Sequence, residues 1–351
     1  MKDMKKSCKI GVRKHFWWYN TPLRKGEFMS NVFDVVLLVA LPASGKSEVR
    51  NFMANMDAKR LQDDFHIGAN LQLDDFPYVH MMRRIDEELQ ARGHARIYYP
   101  GEEPFADARD WGTLIQLLNE DYHDLYNRVV VKPESAALYL FDRIDRASLA
   151  SGLEARLGKL DESVRKEIAQ ALEKEAQAML DEKHAQYEGS YEGKTLVVEC
   201  ARGGPEGSQM PLPDPYGYQY TLRQFSPEIL ERAAILYIWV TPEESRRKNE
   251  ARANPDDPGS NLFHGVPLAV MLGDYGTDDM EYLREGSEME NTITVQAHGK
   301  TYHLPIGVFD NRVDKTSFLR ADKAEWDEEL VKEVTEAIQQ ATDTMWANYK
   351  K

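Results

Sequence analysis

Residues 34–52 read "DVVLLVALPASGKSEVRNF", and this stretch governs how the rest of the chain is interpreted. Val35 to Ala40 is apolar and largely β-branched or leucine, as suits a strand buried on both faces of a parallel sheet. Gly45-Lys46-Ser47 follows, and a helical pattern begins at about Lys46. Consecutive backbone N–H groups in a tight loop form an anion nest, to which the positive end of the next helix adds. The stretch fits the pattern G-x-x-x-x-G-K-[ST] except at its first position, where Ala40 stands in place of Gly. In that pattern Lys46 reaches the β- and γ-phosphates of a nucleotide, and the Ser47 hydroxyl coordinates Mg²⁺. Pro42, Ala43, Ser44, Gly45, Lys46, Ser47 and Glu48 are therefore the expected nucleotide-contacting run. A side chain at Gly45 would crowd the phosphates. Ala40 costs about 1 kcal/mol if its backbone needs a positive φ, and almost nothing if the loop needs only a small residue.

A chain of 351 residues has room for one large domain with insertions, or for two domains. Its 42% apolar content can build a full core, and its 29% charged content suits a soluble protein. The net charge of -15 argues against a general nucleic-acid binder, while leaving room for a local basic pocket that takes a small anion. Cys8 and Cys200 offer neither a disulfide framework nor a zinc site, so a reducing cytoplasm is the expected location. No apolar run approaches the roughly 18 to 20 residues that span a bilayer, so no membrane partner is expected. Residues 1–30 form a basic, aromatic N-terminal extension without the apolar core of a signal peptide. Met29 is a natural start just ahead of the first strand; the alternative is a functional basic arm.

Further along, "NLQLDDF" (Asn70 to Phe76) reads as a strand ending in two carboxylates. The next segment, "PYVHMMRRIDEELQARG", has Pro at its first helical position and Gly at its end. Residues 97–191 change character. "DARDWGTLIQLLNEDYHDLYNRV" is amphipathic, and a long Ala-, Glu-, Lys- and Leu-rich run follows it, which together predict a helical insertion, drawn as a hairpin projecting from the main domain. Strand patterns return in "KTLVVECARGG" and "AAILYIWVTPEES", the latter closing on a capping box at Thr241. "TITVQAHGKTYHLP" reads as a hairpin, "IGVFDN" as a last strand, and the C-terminal segment from Lys323 as a helix. These elements predict an α/β fold: a parallel five-stranded sheet with flanking helices and right-handed crossovers, plus the insertion between the second and third strands. The core would comprise residues 31–96 and 192–351. Ligands of such sheets bind beyond the carboxyl ends of the strands, where Gly45-Lys46-Ser47, Asp74-Asp75, Glu199 and Thr241-Pro242 all fall.

This order of parts, over roughly residues 33 to 349, resembles P-loop kinases of the nucleoside and nucleotide kinase type. "LQLDDFPY" looks like the acidic element of uridine-kinase-like members, which implies that Asp74 or Asp75 is the general base or a magnesium-shell ligand. The resemblance also implies a P-loop NTPase sheet with a Walker-B-like acid at the end of the third strand. "TLVVE" offers Glu199, to hold a magnesium-bound water; "ALYLFD", ending at Asp142, is its rival. The loop Ala201-Arg202-Gly203-Gly204 after Glu199 suits a ligand and makes Arg202 a substrate candidate. A lid rich in Arg is implied after the fourth strand, with Arg246, Arg247 and Arg252 closing on the transferring phosphoryl group. Asn311 and Arg312 fall where such kinases hold the adenine ring. Arg83 and Arg84 point towards an anionic acceptor, or else bridge to the Asp86-Glu87-Glu88 run. The insertion departs from the family pattern, and serves either as an unusual acceptor pocket or as an arm for homo-oligomerisation.

The leading expectation is an ATP- and Mg²⁺-dependent kinase acting on a small cytoplasmic metabolite: a nucleoside, a nucleotide or another hydroxyl compound. The alternative is an NTP-binding switch or regulatory ATPase whose long helices engage a protein partner.

Overall fold

The computed structural model describes residues 31–252 and 265–349; the expected extension at residues 1–30 lies outside them. β1 (Val35–Val39) is fully buried, and its alternate side chains serve opposite layers, as the two-residue period of a strand requires. Val36 and Leu38 pack with α1 (Lys46–Ala54) and α2 (Ala58–Phe65). Val35, Leu37 and Val39 pack on the other side. β2 (Ala69–Asp74) leads into α3 (Phe76–Ala91), with Pro77 in its first turn. Three helices then come before the next strand: α4 (Asp110–Asn127), α5 (Ala136–Ala150) and α6 (Glu162–Ala185).

β3 (Lys194–Cys200) is followed by the short helices α7 (Gly217–Gln224) and α8 (Pro227–Leu230), then β4 (Ala233–Trp239). α9 (Pro242–Arg252), α10 (Leu268–Gly273) and α11 (Met280–Glu285) come before the hairpin of β5 (Thr292–Ala297) and β6 (Lys300–Asp310), and α12 (Glu328–Tyr349) completes the order. α12 lays Val334, Ile338, Ala341 and Met345 onto the α1 side of the sheet.

The sheet has six strands in the order β2-β3-β1-β4-β6-β5. Five of them are mutually parallel, and β5 is antiparallel at the edge. The expected count of five is thus corrected to six. The expected hairpin and the expected last strand are continuous, because Tyr302 to Asp310 runs on without a break and carries the hairpin partner into the sheet. The chain leaving β1 crosses to β2 on one side, whereas the chain leaving β3 crosses to β4 on the other. Successive connections therefore diverge at the carboxyl end of β1, which is where open α/β sheets bind ligands.

The helical segment between β2 and β3 does not project as a hairpin. α4 is apolar on two faces: Ile115, Leu118, Tyr122 and Leu125 cover the sheet, while Leu114 and Leu117 join a separate cluster with α3, α5 and α6. A buried polar network ties that cluster together. Asp121 on α4 receives Arg143 of α5 at 2.6 Å, Lys183 of α6 at 2.8 Å and the Tyr78 hydroxyl of α3. Such a network stabilises only when every member is satisfied, which favours one arrangement of the four helices. Among the described residues no helix is long and apolar enough to cross a membrane.

Candidate functional site

The loop between β1 and α1 wraps onto the end of the sheet. Ala43 and Gly45 both take left-handed backbone, with φ of 54° and 108°. Ala40 is not among the described residues with positive φ, and its methyl is fully buried, so this position asks for a small residue rather than for glycine. Gly45 is required twice over. Its φ disfavours a side chain, and a Cβ would lie 2.5 Å from Thr316 Oγ1 and 2.9 Å from Asn311 Nδ2. The crowding at Gly45 thus comes from the loop after β6 as well as from any bound phosphate.

Lys46 Nζ folds back to within 3.5 Å of the Ala40 carbonyl and 3.4 Å of the Leu41 carbonyl. The Ser44 hydroxyl is buried without a hydrogen-bond partner. Three groups outside the motif brace the loop. Ser245 on α9 donates to the Pro42 carbonyl at 2.7 Å, Tyr218 donates to the Ala40 carbonyl at 3.0 Å, and Asn311 donates to the Ser44 carbonyl at 2.6 Å. Glu48 lines the same cavity and pairs with Arg320 at 2.6 Å.

A cavity of about 510 Å³ opens from this loop. It is lined by Pro42 to Glu48, by the ends of β2 and β3, by Arg83 and Arg84 of α3, by Tyr99 and Trp111, and by residues around Asp274. Asp74 and Glu199 are register partners at the ends of β2 and β3. Burial, with the negative charges of Glu199 and Asp75, pushes the Asp74 pKa up to about 7, while the Phe76 N–H that it accepts at 2.9 Å works the other way. Glu199 is engaged by Arg50 of α1. Asp75 is buried and pairs at 2.6 Å with the fully buried Arg202, whose guanidinium lies 4.7 Å from the Trp111 ring. Arg202 thus stands behind the cavity wall. Gly203 and Gly204 accept the backbone of residues 274–277 at close range: a Cβ on Gly203 would meet the Thr277 carbonyl at 2.4 Å, and the Gly204 N–H donates to that carbonyl at 2.9 Å.

The remaining expected residues divide. Arg83 lines the cavity, stacks 3.9 Å from the Tyr99 ring and makes no ion pair among the described residues. Arg84 is held by Glu87, Glu88 and Glu175. Asp86 turns inward to accept the backbone N–H groups of Ile97, Tyr98 and Tyr99, and so fixes Tyr99 in the wall. Arg246 pairs with Glu206 and Glu243, and Arg247 with Glu244; neither lines the cavity. Arg252 ends α9, and its side chain lies outside the described residues. Asn311 is a buried brace of the loop, and Arg312 is bonded to Asp310 while covering Trp239 at 3.7 Å. Asp142 is carried by helix α5 and pairs with Arg165, whereas Glu199 ends a strand.

Among the described residues, no three His, Cys, Asp or Glu side chains converge as a ready cation cage. A hard cation held through one or two carboxylates, a hydroxyl and substrate phosphates needs no such cage; Ser47, Asp74 and Glu199 all line the cavity and suit that arrangement. Sequence reasoning did not find Tyr99, Trp111 and Asp274. Tyr99 and Asp274 sit in stretches without clear periodicity, whereas Trp111 lies in the amphipathic run that forms α4, where an aromatic reads as core; of the three, only Tyr99 falls in the aromatic stretch "RIYYPGEEPF". Comparison of the chain with protein-family models, with curated proteins and with solved structures gave no match.

Proposed function

We propose that this chain is an ATP- and Mg²⁺-dependent phosphotransferase acting on a small hydroxyl compound, in line with its resemblance to P-loop kinases. One observation carries the reading. The glycine-lysine-serine loop at the carboxyl end of β1 and the elevated carboxyl of Asp74 open into the same cavity. Bound Mg-ATP supplies the phosphoryl group to be transferred. Pro42 to Ser47 would bind its phosphates, with Lys46 meeting their charge, while Ser47 and Glu199 would hold the cation directly or through water. The acceptor oxygen forms a bond to phosphorus as the bond to the departing ADP breaks, and the acceptor proton passes to Asp74. A base whose pKa lies near the working pH suits that task. Braced loops and a recessed cavity favour positioning and charge stabilisation, which dominate phosphoryl transfer.

A nucleotide-dependent switch would need no chamber lined by carboxylates, and it would hydrolyse ATP slowly whatever metabolite is present. The test is ATP binding by calorimetry with and without Lys46→Ala. The expected result is micromolar binding lost by at least tenfold in the variant; equal binding by both proteins, or by neither, overturns the reading.

A further inference from the structure

Resting on the reading that this cavity holds a phosphate acceptor, we infer that the acceptor carries an anionic group, a phosphate or a carboxylate, that seats on the guanidinium of Arg83. This side chain lines the cavity and is held there without being neutralised. Its guanidinium lies 3.9 Å from the centroid of the Tyr99 ring, and its Nη1 donates to the Gly101 carbonyl at 3.3 Å. That is its one hydrogen bond among the described residues. None of its nitrogens is both buried and unpartnered, in contrast to Nε and Nη2 of Arg202. The open part of the Arg83 fork is therefore reachable from the cavity, and it is the part that a two-oxygen anion engages.

The charges along the wall leave this cation over. Glu48 is matched by Arg320, Asp75 by Arg202, Glu87 by Arg84 and Glu199 by Arg50. Glu87 stands one helical turn beyond Arg83, at the spacing of a favourable ion pair, yet it pairs with Arg84 instead. Arg84 is held by Glu88 and Glu175 as well. The carboxyl of Asp274 feels the Arg83 charge without forming an ion pair with it; it lies against the Trp111 and Phe105 N–H groups, and burial pushes its pKa up to about 7. A cationic ligand group would be repelled by Arg83, and a neutral hydroxyl would leave its charge unmet. A carboxylate or phosphate accepts two parallel N–H bonds and supplies the missing charge. The geometry is set in advance by α3 itself. Arg83 extends from this helix, while Asp86 of the same helix accepts the N–H groups of Ile97, Tyr98 and Tyr99 and so fixes the ring on which the guanidinium stacks.

Calorimetry on the full chain tests the subsite, with D-ribose 5-phosphate against D-ribose and D-glycerate against glycerol. Each pair is run with and without a non-hydrolysable Mg-ATP analogue, which keeps the anionic probes off the glycine-lysine-serine loop. At least one anionic probe is expected to bind at least tenfold more tightly than its uncharged counterpart. Arg83→Met, which keeps an apolar stem over Tyr99, is expected to reduce that preference to less than threefold. Arg83→Lys, which keeps the charge and removes the fork, is expected to fall between the two. Thermal unfolding reports whether each variant is folded. A wild-type preference below threefold, no binding by any probe, or a preference undiminished in Arg83→Met overturns the inference. Failure to bind the nucleotide analogue, with an anion preference that still depends on Arg83 in its absence, would overturn the phosphotransferase reading alone.

Discussion

Replacing Asp74 with Asn should make the ligand-free protein more stable and, on the proposed reading, slow its phosphate transfer. Burial and the charges of Glu199 and Asp75 raise the Asp74 pKa from 3.8 to about 7. A carboxyl whose pKa is raised by folding destabilises the folded state once the unfolded chain would ionise. Below about pH 4 the group is protonated in both states, and the substitution gains nothing. Between about pH 4 and 7 the wild-type protein loses stability progressively, and above 7 the difference is constant. At 1.36 kcal/mol per unit, the ceiling is about 1.5 kcal/mol at pH 5 and about 4 kcal/mol at pH 8. Repulsion shared with Glu199 and relaxation of the site bring the expected gain at pH 8 to about 1–3 kcal/mol. Asn retains an oxygen for the Phe76 N–H, so the helix start is preserved. Urea unfolding of both proteins at pH 5 and pH 8, without nucleotide, reads the difference. A gain that is the same at both pH values, or a variant less stable at pH 8, would refute the electrostatic reasoning. Phosphate transfer should fall by roughly 10²–10⁴-fold if Asp74 is the base.

Gly45→Ala should destabilise the fold by about 2 kcal/mol or more, from left-handed backbone and the 2.5 Å approach to Thr316 Oγ1. Combining it with Thr316→Ala should recover the steric part only, as read by thermal unfolding; full recovery would show that φ is unimportant. Arg202→Met should cost about 3–5 kcal/mol, because Asp75 is left buried and unpaired. Adding Asp75→Asn should restore more than half of that loss in chemical denaturation, and no recovery would mean that Arg202 acts through packing alone.

Much of the sheet could be read in the sequence because its signals are local. Val35 to Val39 is apolar at every position, and Pro77 marks the start of α3. Local signals fail where context decides. "TLVVE" and "ALYLFD" are both apolar runs ending in an acid, yet the second is helical, entered through the Ser135 side chain that accepts from the Leu138 N–H. "LQDDF" at residues 61–65 lies in α2, while the similar "LQLDDF" at 71–76 forms the end of β2 and the start of α3. The wall of the cavity formed by Tyr99, Trp111 and Asp274 was illegible for a different reason. Tyr99, Trp111 and Asp274 come from three separate segments, and they meet only because Asp86, Asp110 and the Gly203–Gly204 pair hold those segments in place. α10 has only six residues, too few to show a periodic pattern.

The double-faced α4 has a consequence for how this chain can change over time. A helical segment that touched the sheet only at its hinges could be exchanged as a cassette, bringing a new substrate with it. Here the helix that begins beside Trp111 is also the roof over Leu71 and Leu196, so losing the segment would strip the sheet it covers. In such an architecture the chamber changes by point substitutions along its wall, and the cavity and the sheet are inherited together.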